Sequence, residues 1–482
     1  MSKPCSPDYA LKKDFVMTQT LTDAATKLAA AFRGDLIRPD DPTYEEARRV
    51  YNGMIDKRPR LIAQCANVAD VIAAVNFGRE EGLAVAIRGG GHNAAGLGTC
   101  DDGLVIDLSR LRGIRVDPQR RLVQVEGGCT WGEVDHATHA FGLATPSGII
   151  STTGVGGLTL GGGFGHLSRT YGLTIDNLVS ADVVTASGTF LTARADENPD
   201  LFWALRGGGG NFGVVTSFTF RLHPVDLIYG GPIFYPIERA EDVLRLYREF
   251  IADAPAQMSA FFGFHLAPPA PFVPEHLHML PTAVIVPSFN GPLAEGEHLV
   301  RRLREEIAPA LDLAGPIPYP ALNSMFDALE PAGLQHYWKA DFVRELTDEA
   351  IAVHGKYGPQ VPTVPSLMHL YPLDGAISQV GNSETAFSYR DVEFAHVILA
   401  TDSDPAPMPG HIAWAREYWD ALHPHSAEGA YVNFLMEEGQ ARVAETYRGN
   451  YARLRSIKRR YDPENLFRIN QNIIPAGLAL ES

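Results

Sequence analysis

A histidine directly after three consecutive glycines, in Arg88-Gly89-Gly90-Gly91-His92-Asn93, is the first place in the chain where residue types and spacing suggest chemistry. Glycine tolerates positive φ and lets backbone approach a ligand closely. A strand ending in such a run can turn several consecutive N–H groups onto one point, a nest that holds pyrophosphate without a lysine. His92 would then lie beside the bound group, although a lone imidazole there can also be purely structural. Three further clusters follow: Gly127-Gly128, the stretch 154–165, and the stretch 207–213. Tight turns in a β-rich domain also use glycine. Four clusters between Arg88 and Gly213, with ordinary density elsewhere, point instead to one extended ligand lying along backbone.

Standard nucleotide templates do not fit these runs. No lysine follows a glycine run in the GxxxxGK[ST] manner. GxGxxG started at Gly154 puts Thr159 at the third glycine, and started at Gly161 or Gly163 it ends on His166 or Ser168. An NAD-dependent dehydrogenase is disfavoured on these grounds. The 482 residues hold 41 Lys plus Arg against 57 Asp plus Glu, a formal net charge of −16. That balance argues against nucleic acid or an anionic membrane as partner, since both select basic patches. Four cysteines, none in a CxxC pair, disfavour a disulfide scaffold or structural zinc and suggest a reducing, cytoplasmic setting. Residues 1–20 lack an apolar segment of the signal-peptide kind and read as a leader.

Several elements must position these residues. Periodicity predicts helices at 20–32, 43–51, 67–81 (capped by Asn67) and 131–140 (opened by Thr130). Short strands are expected at 84–88, 104–108 and 122–126, a hairpin at 179–192 turning at Ser187-Gly188, a short helix at 201–205, and a strand at 214–222 ended by Pro224. Beyond Val225 glycine thins. Helices at 240–252 and 292–308 then alternate with strands at 282–287, 366–371 and 394–400, the pattern of a sheet covered by helices. One long helix is expected from Gln440 to Tyr461. The division is a leader and helix at 1–37, a ligand-binding region at 38–225, a second domain at 226–428 and a C-terminal segment at 429–482.

The run 88–93, the run Gly154-Val155-Gly156-Gly157-Leu158-Thr159-Leu160-Gly161-Gly162-Gly163-Phe164-Gly165, the run 206–213, and Tyr461-Asp462-Pro463 through Asn470-Gln471-Asn472 together resemble the berberine-bridge-enzyme-like flavoproteins. These belong to the vanillyl-alcohol oxidase and p-cresol methylhydroxylase superfamily. The resemblance spans Arg38 to Pro475. It implies an α+β fold: an FAD-binding domain of two subdomains, and a substrate domain whose antiparallel sheet, covered by helices, roofs the flavin. It also implies FAD bonded through its 8α-methyl to His92. The second tether of many members, a cysteine four residues before Gly154, is here Ile150, so a single covalent link is expected.

Carried over position by position, the resemblance puts Arg88, Gly89, Gly90 and Gly91 around the pyrophosphate. Ser147, Thr153, Gly154 and Gly157 then run along the flavin and ribityl chain. Gly161, Gly162 and Asn177 fall near the diphosphate, Val184 and Gly213 near the adenine, and Asn472 at the flavin edge. Tyr431, in a strand before the last helix, matches the family's frequent catalytic phenol, a base of lowered pKa. His369 and Tyr371, alternate residues of one strand, and Lys339 are further catalytic candidates; packing or surface roles suit all three equally. Thr153, close to valine in shape at the position that gates oxygen, favours an oxidase over a dehydrogenase. The implied function is hydride removal from a carbinol or amine carbon of a small organic substrate, with O₂ as acceptor and H₂O₂ as product, by a monomer or homodimer.

Overall fold

The structure is a computed structural model describing residues 28–479. The helix expected at 20–32 lies mostly outside those residues. Three sheets carry the fold. The first has four strands in the order Asp35–Ile37, Leu61–Gln64, Leu104–Asp107, Val85–Arg88, the last three parallel. Helix Val68–Glu80 packs on it, its start capped by the Asn67 side chain accepting from the Asp70 N–H. The second sheet is antiparallel, ordered Ile114–Asp117, Leu122–Glu126, Val214–Arg221, Leu178–Val184, Phe190–Arg194. Trp131–His139 lies beside it behind a Thr130–Glu133 capping box.

The third sheet is antiparallel and has nine strands drawn from residues 227–402. Its centre is Pro281–Phe289, Met258–Leu266, Leu367–Pro372, Phe394–Asp402 and Gln335–Val343, in that order. Helices Ala240–Asp253, Asp348–Tyr357 and Met408–Leu422 cover one face. The other face, with Phe261, Leu367, Tyr371, Val397 and Leu399, packs toward Phe164 and Tyr431.

Three expectations need correction. The helix predicted at 43–51 is only Tyr44–Ala47, after which the chain bends so that the Tyr51 N–H can donate to the Gly91 carbonyl. The helix predicted at 440–461 is broken into Gln440–Tyr447 and Tyr451–Tyr461. Arg448 takes φ 46° at the break, and the Asn450 amide donates to carbonyls of Asn382 and Thr385. Tyr431 stands at the head of a 3-10 turn, Val432–Phe434, rather than in a strand. Strands Met258–Leu266 and Gln335–Val343 went unpredicted. The first is buried at every position and shows no period; the second hides polar side chains under helices.

Candidate active site

A single cavity runs from the glycine nest to the inner face of the large sheet. At one end it is lined by Arg88, Gly89, Gly90, Gly91 and His92, with Thr153, Gly154, Gly157 and Gly213 along its side. Strand Val85–Arg88 delivers the nest. The Arg88 guanidinium is spent on Asp107 at 2.8 Å and on the Arg49 carbonyl, so it steadies the strand rather than offering a free charge. Gly90 and Gly154 touch backbone to backbone: a Cβ on Gly90 would meet the Gly154 nitrogen at 2.5 Å. The N–H groups of Gly90, Gly91 and His92 find no backbone acceptor among the described residues, leaving them for an anion.

His92 is held by aromatic stacking. Its ring lies on Tyr51 with centroids 4.0 Å apart, and Tyr51 stacks in turn on His336 at 4.7 Å. His92 Nε2 is 3.1 Å from Thr152 Oγ1. Burial pushes the imidazole down to about 4, so it is neutral at physiological pH. Tyr51 donates to the Glu330 carbonyl, and the Glu330 carboxyl, pushed up to about 8 by burial, keeps Oε1 unpartnered at the cavity wall.

The far end is aromatic, with Phe164, Phe326, Trp338 and Phe434. Tyr431 enters there under tight backbone constraint. Its hydroxyl accepts from the Gly163 N–H at 2.9 Å and from Asn433 Nδ2 at 2.8 Å. Asn433 Nδ2 also donates to the carbonyls of Gly157 and Leu158, which settles which end of the amide faces the phenol. Burial raises the Tyr431 pKa despite both donors, which corrects the expectation of a lowered value. His369 and Tyr371 share the cavity face of one strand, with His369 Nδ1 2.7 Å from Tyr371 Oη.

Other predicted residues stand elsewhere. Lys339 lies on the opposite face of its strand, paired with Glu438 at 2.9 Å and over the Trp419 ring; Trp338 and His336 take the inner positions. Ser147 is bonded to Tyr319 and Asn323, and Asn177 to His223 and the carbonyls of Tyr171 and Leu173. Val184 is buried in the core, and Asn472 does not line the cavity. Gly161 and Gly162 do not line the cavity and stand beside the phenol's surroundings. A Cβ on Gly161 would meet the Asn433 amide at 2.4 Å, and one on Gly162 would meet Phe387 at 2.9 Å.

Asn470 and Gln471 line the cavity in place of Asn472. Buried Lys458 places this return of the chain, donating to the Asn211 and Phe467 carbonyls and pairing with Asp462 at 2.6 Å. Sequence reasoning missed His265, Glu330, Tyr51, Trp338 and Asn433. Only Asn433, two residues from Tyr431, carried a local signal.

The donor set fits FAD: free N–H groups on a glycine loop, an open glycine wall at Gly157, an unpartnered buried Asn470 Oδ1, and an aromatic chamber beyond. The nest, Thr153, Gly154, Gly157, Gly213 and Asn470 would hold it, with Arg88 steadying the strand that delivers the nest. Fold and cavity define a flavin-dependent oxidoreductase whose large sheet lines the far end of the cavity.

The family model described as FAD binding domain matches residues 59–194, and the one described as berberine and berberine like matches 430–474. An FAD-linked oxidoreductase of Dictyostelium discoideum is 32% identical over 459 residues, covering 94% of this chain and 97% of that one. The (R)-6-hydroxynicotine oxidase of Paenarthrobacter nicotinovorans is 31% identical, covering 94% of this chain and 100% of its own. The crystal structure of 6-hydroxy-D-nicotine oxidase from Arthrobacter nicotinovorans superposes with TM-score 0.82 at 27% identity, over 92% of this chain and 98% of that one. The chain belongs to the berberine-bridge-enzyme-like FAD-linked oxidoreductases of the vanillyl-alcohol oxidase and p-cresol methylhydroxylase superfamily. Among its described residues no helix is long and apolar enough to cross a membrane.

Proposed function

We propose that the enzyme is an oxidase that removes hydride from a carbinol or amine carbon of a small organic substrate and passes the electrons to O₂, giving H₂O₂. One observation carries this reading: a single cavity joins the nest and His92 to the phenols of Tyr431 and Tyr371. Bound FAD supplies the two-electron acceptor. The chain's own residues supply anchoring, a dry pocket and a proton acceptor.

His92 is the covalent anchor in this reading. Its imidazole is neutral, the nucleophilic form, and the stack on Tyr51 restricts its orientation. The tether is single, because Ile150 lines the cavity and none of the described cysteines does. Tyr431, as its phenolate, takes the substrate proton. Burial opposes its ionisation, so the Gly163 N–H and the Asn433 amide, both aimed at its oxygen, are the groups that stabilise the phenolate. Aromatic side chains around it exclude water. The setting is cytoplasmic, as monomer or homodimer, consistent with buried free thiols at Cys65, Cys100 and Cys129.

Thr153, at the cavity beside Gly154, supports O₂ as acceptor. An anaerobic panel of alcohols and amines that bleaches the flavin identifies substrates. Mixing the reduced enzyme with air-saturated buffer in a stopped-flow instrument then decides the acceptor. Re-oxidation within seconds is expected; re-oxidation taking many minutes would show a dehydrogenase with another acceptor.

A further inference from the structure

One wall of the cavity holds three polar side chains joined end to end. His265 Nε2 lies 2.7 Å from His369 Nε2, and His369 Nδ1 lies 2.7 Å from Tyr371 Oη. All three are buried and all three line the cavity. They come from neighbouring strands, Met258–Leu266 and Leu367–Pro372, where His369 sits opposite Gly263. Gly263 makes the room: a Cβ there would meet His369 Cδ2 at 2.7 Å and His265 Nε2 at 2.9 Å. The backbone is therefore shaped to bring two imidazoles into contact.

Burial pushes His265 down to about 4 and His369 well below its ordinary value, so both are neutral. A neutral imidazole has one N–H and one acceptor nitrogen. The chain can therefore be ordered in only two ways. In one, Tyr371 O–H donates to His369 Nδ1, His369 Nε2–H donates to His265 Nε2, and His265 carries its proton on Nδ1. In the other, His265 Nε2–H donates to His369, His369 Nδ1–H donates to Tyr371, and Tyr371 O–H points outward. The first order presents the cavity with an acceptor at Tyr371 and the second with a donor. Passing from first to second, Tyr371 takes a proton from a water in the cavity. It gives its own to His369 Nδ1, His369 passes the Nε2 proton to His265 Nε2, and His265 releases its Nδ1 proton to water. No member of the chain changes charge.

We propose that Tyr371, His369 and His265 form a switchable docking station for an oxygen of the substrate, taking it as hydroxyl or as carbonyl without a charged partner. This deepens, and rests on, the reading of the cavity as the substrate site. The rest of the wall agrees on charge. Arg88 is committed to Asp107, and among the described residues Glu330 is the one carboxyl lining the cavity, held protonated at neutral pH by burial. Phe164 and Phe434 border both Tyr371 and Tyr431, so the station stands one aromatic contact away from the proposed proton acceptor. The substrate class is a neutral, largely apolar or aromatic molecule with an oxygen function held apart from the reacting carbon; anionic molecules are excluded.

The test is ¹⁵N NMR of histidine-labelled holoenzyme, which reads the protonated nitrogen of each imidazole. Without any ligand, Tyr371→Phe is expected to shift the tautomers of both His369 and His265, although His265 does not touch residue 371. Phenol, a donor, and acetophenone, an acceptor only, are then titrated to their solubility limits. They are expected to move the His265 resonances in opposite senses, and Tyr371→Phe to weaken phenol binding about tenfold, the worth of one hydrogen bond. Unchanged His265 tautomers in Tyr371→Phe overturn the proposal. So does a failure of the two probes to leave His265 in different tautomers in the wild type, or equal shifts in the variant. Flavin content and anaerobic bleaching, measured on the same samples, keep failure here separate from failure of the FAD-oxidase reading.

Discussion

Tyr431→Phe is expected to reduce its flavin about 10²–10⁴-fold more slowly than the wild type, the usual worth of a positioned acid or base. The substitution removes one oxygen and leaves the ring in contact with Phe164 and Phe434. Two donors lose their acceptor, and their fates differ. Asn433 keeps the Gly157 and Leu158 carbonyls, whereas the Gly163 N–H loses its bond to the phenol. The stability cost is therefore about 1–3 kcal/mol, one unsatisfied buried donor, and flavin content should hold. Anaerobic stopped-flow reduction with a substrate found in the panel separates the rate from the cofactor content. A variant that reduces its flavin at the wild-type rate would leave the phenol a packing group and move the proton acceptor to Tyr371.

Gly157→Leu is expected to abolish FAD incorporation while leaving the fold intact. A Cβ on Gly157 meets nothing within 4 Å among the described residues beyond its own helix, yet the residue lines the cavity. It also lies inside helix Val155–Gly161, where leucine is the better helix former by roughly 0.5–1 kcal/mol. The added side chain can therefore act only by filling cavity space. Gly90→Ala gives the contrast, since its Cβ collides with the Gly154 backbone at 2.5 Å and the two loops must part. That variant should lose flavin and also roughly 1–3 kcal/mol of stability, the cost of overpacking. Flavin-to-protein absorbance with a thermal melt distinguishes the two. A Gly157→Leu enzyme with full flavin content would move the cofactor off this wall.

The parts of the site legible in the sequence were those encoded locally. The nest and His92 are contiguous, and Tyr431 stands in a short local motif whose Asn433 was passed over. His369 and Tyr371 were placed on one face by the strand's period of two, and the structure puts both at the cavity. The same period, had strand Gln335–Val343 been recognised, would have turned Lys339 outward and Trp338 inward. Lys339 is half-buried against Glu438 and Trp419 on other segments, so the strand looks polar where it is covered. His265 hid in a run of apolar residues, and its meaning depends on a neighbouring strand more than 100 positions later. Glu330 and Tyr51 meet across 279 residues. Glycine spacing recorded where space was needed but not what fills it: Gly161 and Gly162 make room for Asn433 and Phe387.

In the proposed function His92 is the place where FAD is fixed to this cavity. Acid precipitation of the purified enzyme, followed by proteolysis and mass spectrometry of the yellow fraction, tests that most directly. The expected result is flavin that stays with the precipitated polypeptide and an FAD-sized mass on the peptide containing His92, with His92→Ala releasing all its flavin to the supernatant. Wild-type protein that gives up its entire flavin to the acid supernatant, or carries the mass on a peptide lacking His92, would contradict it.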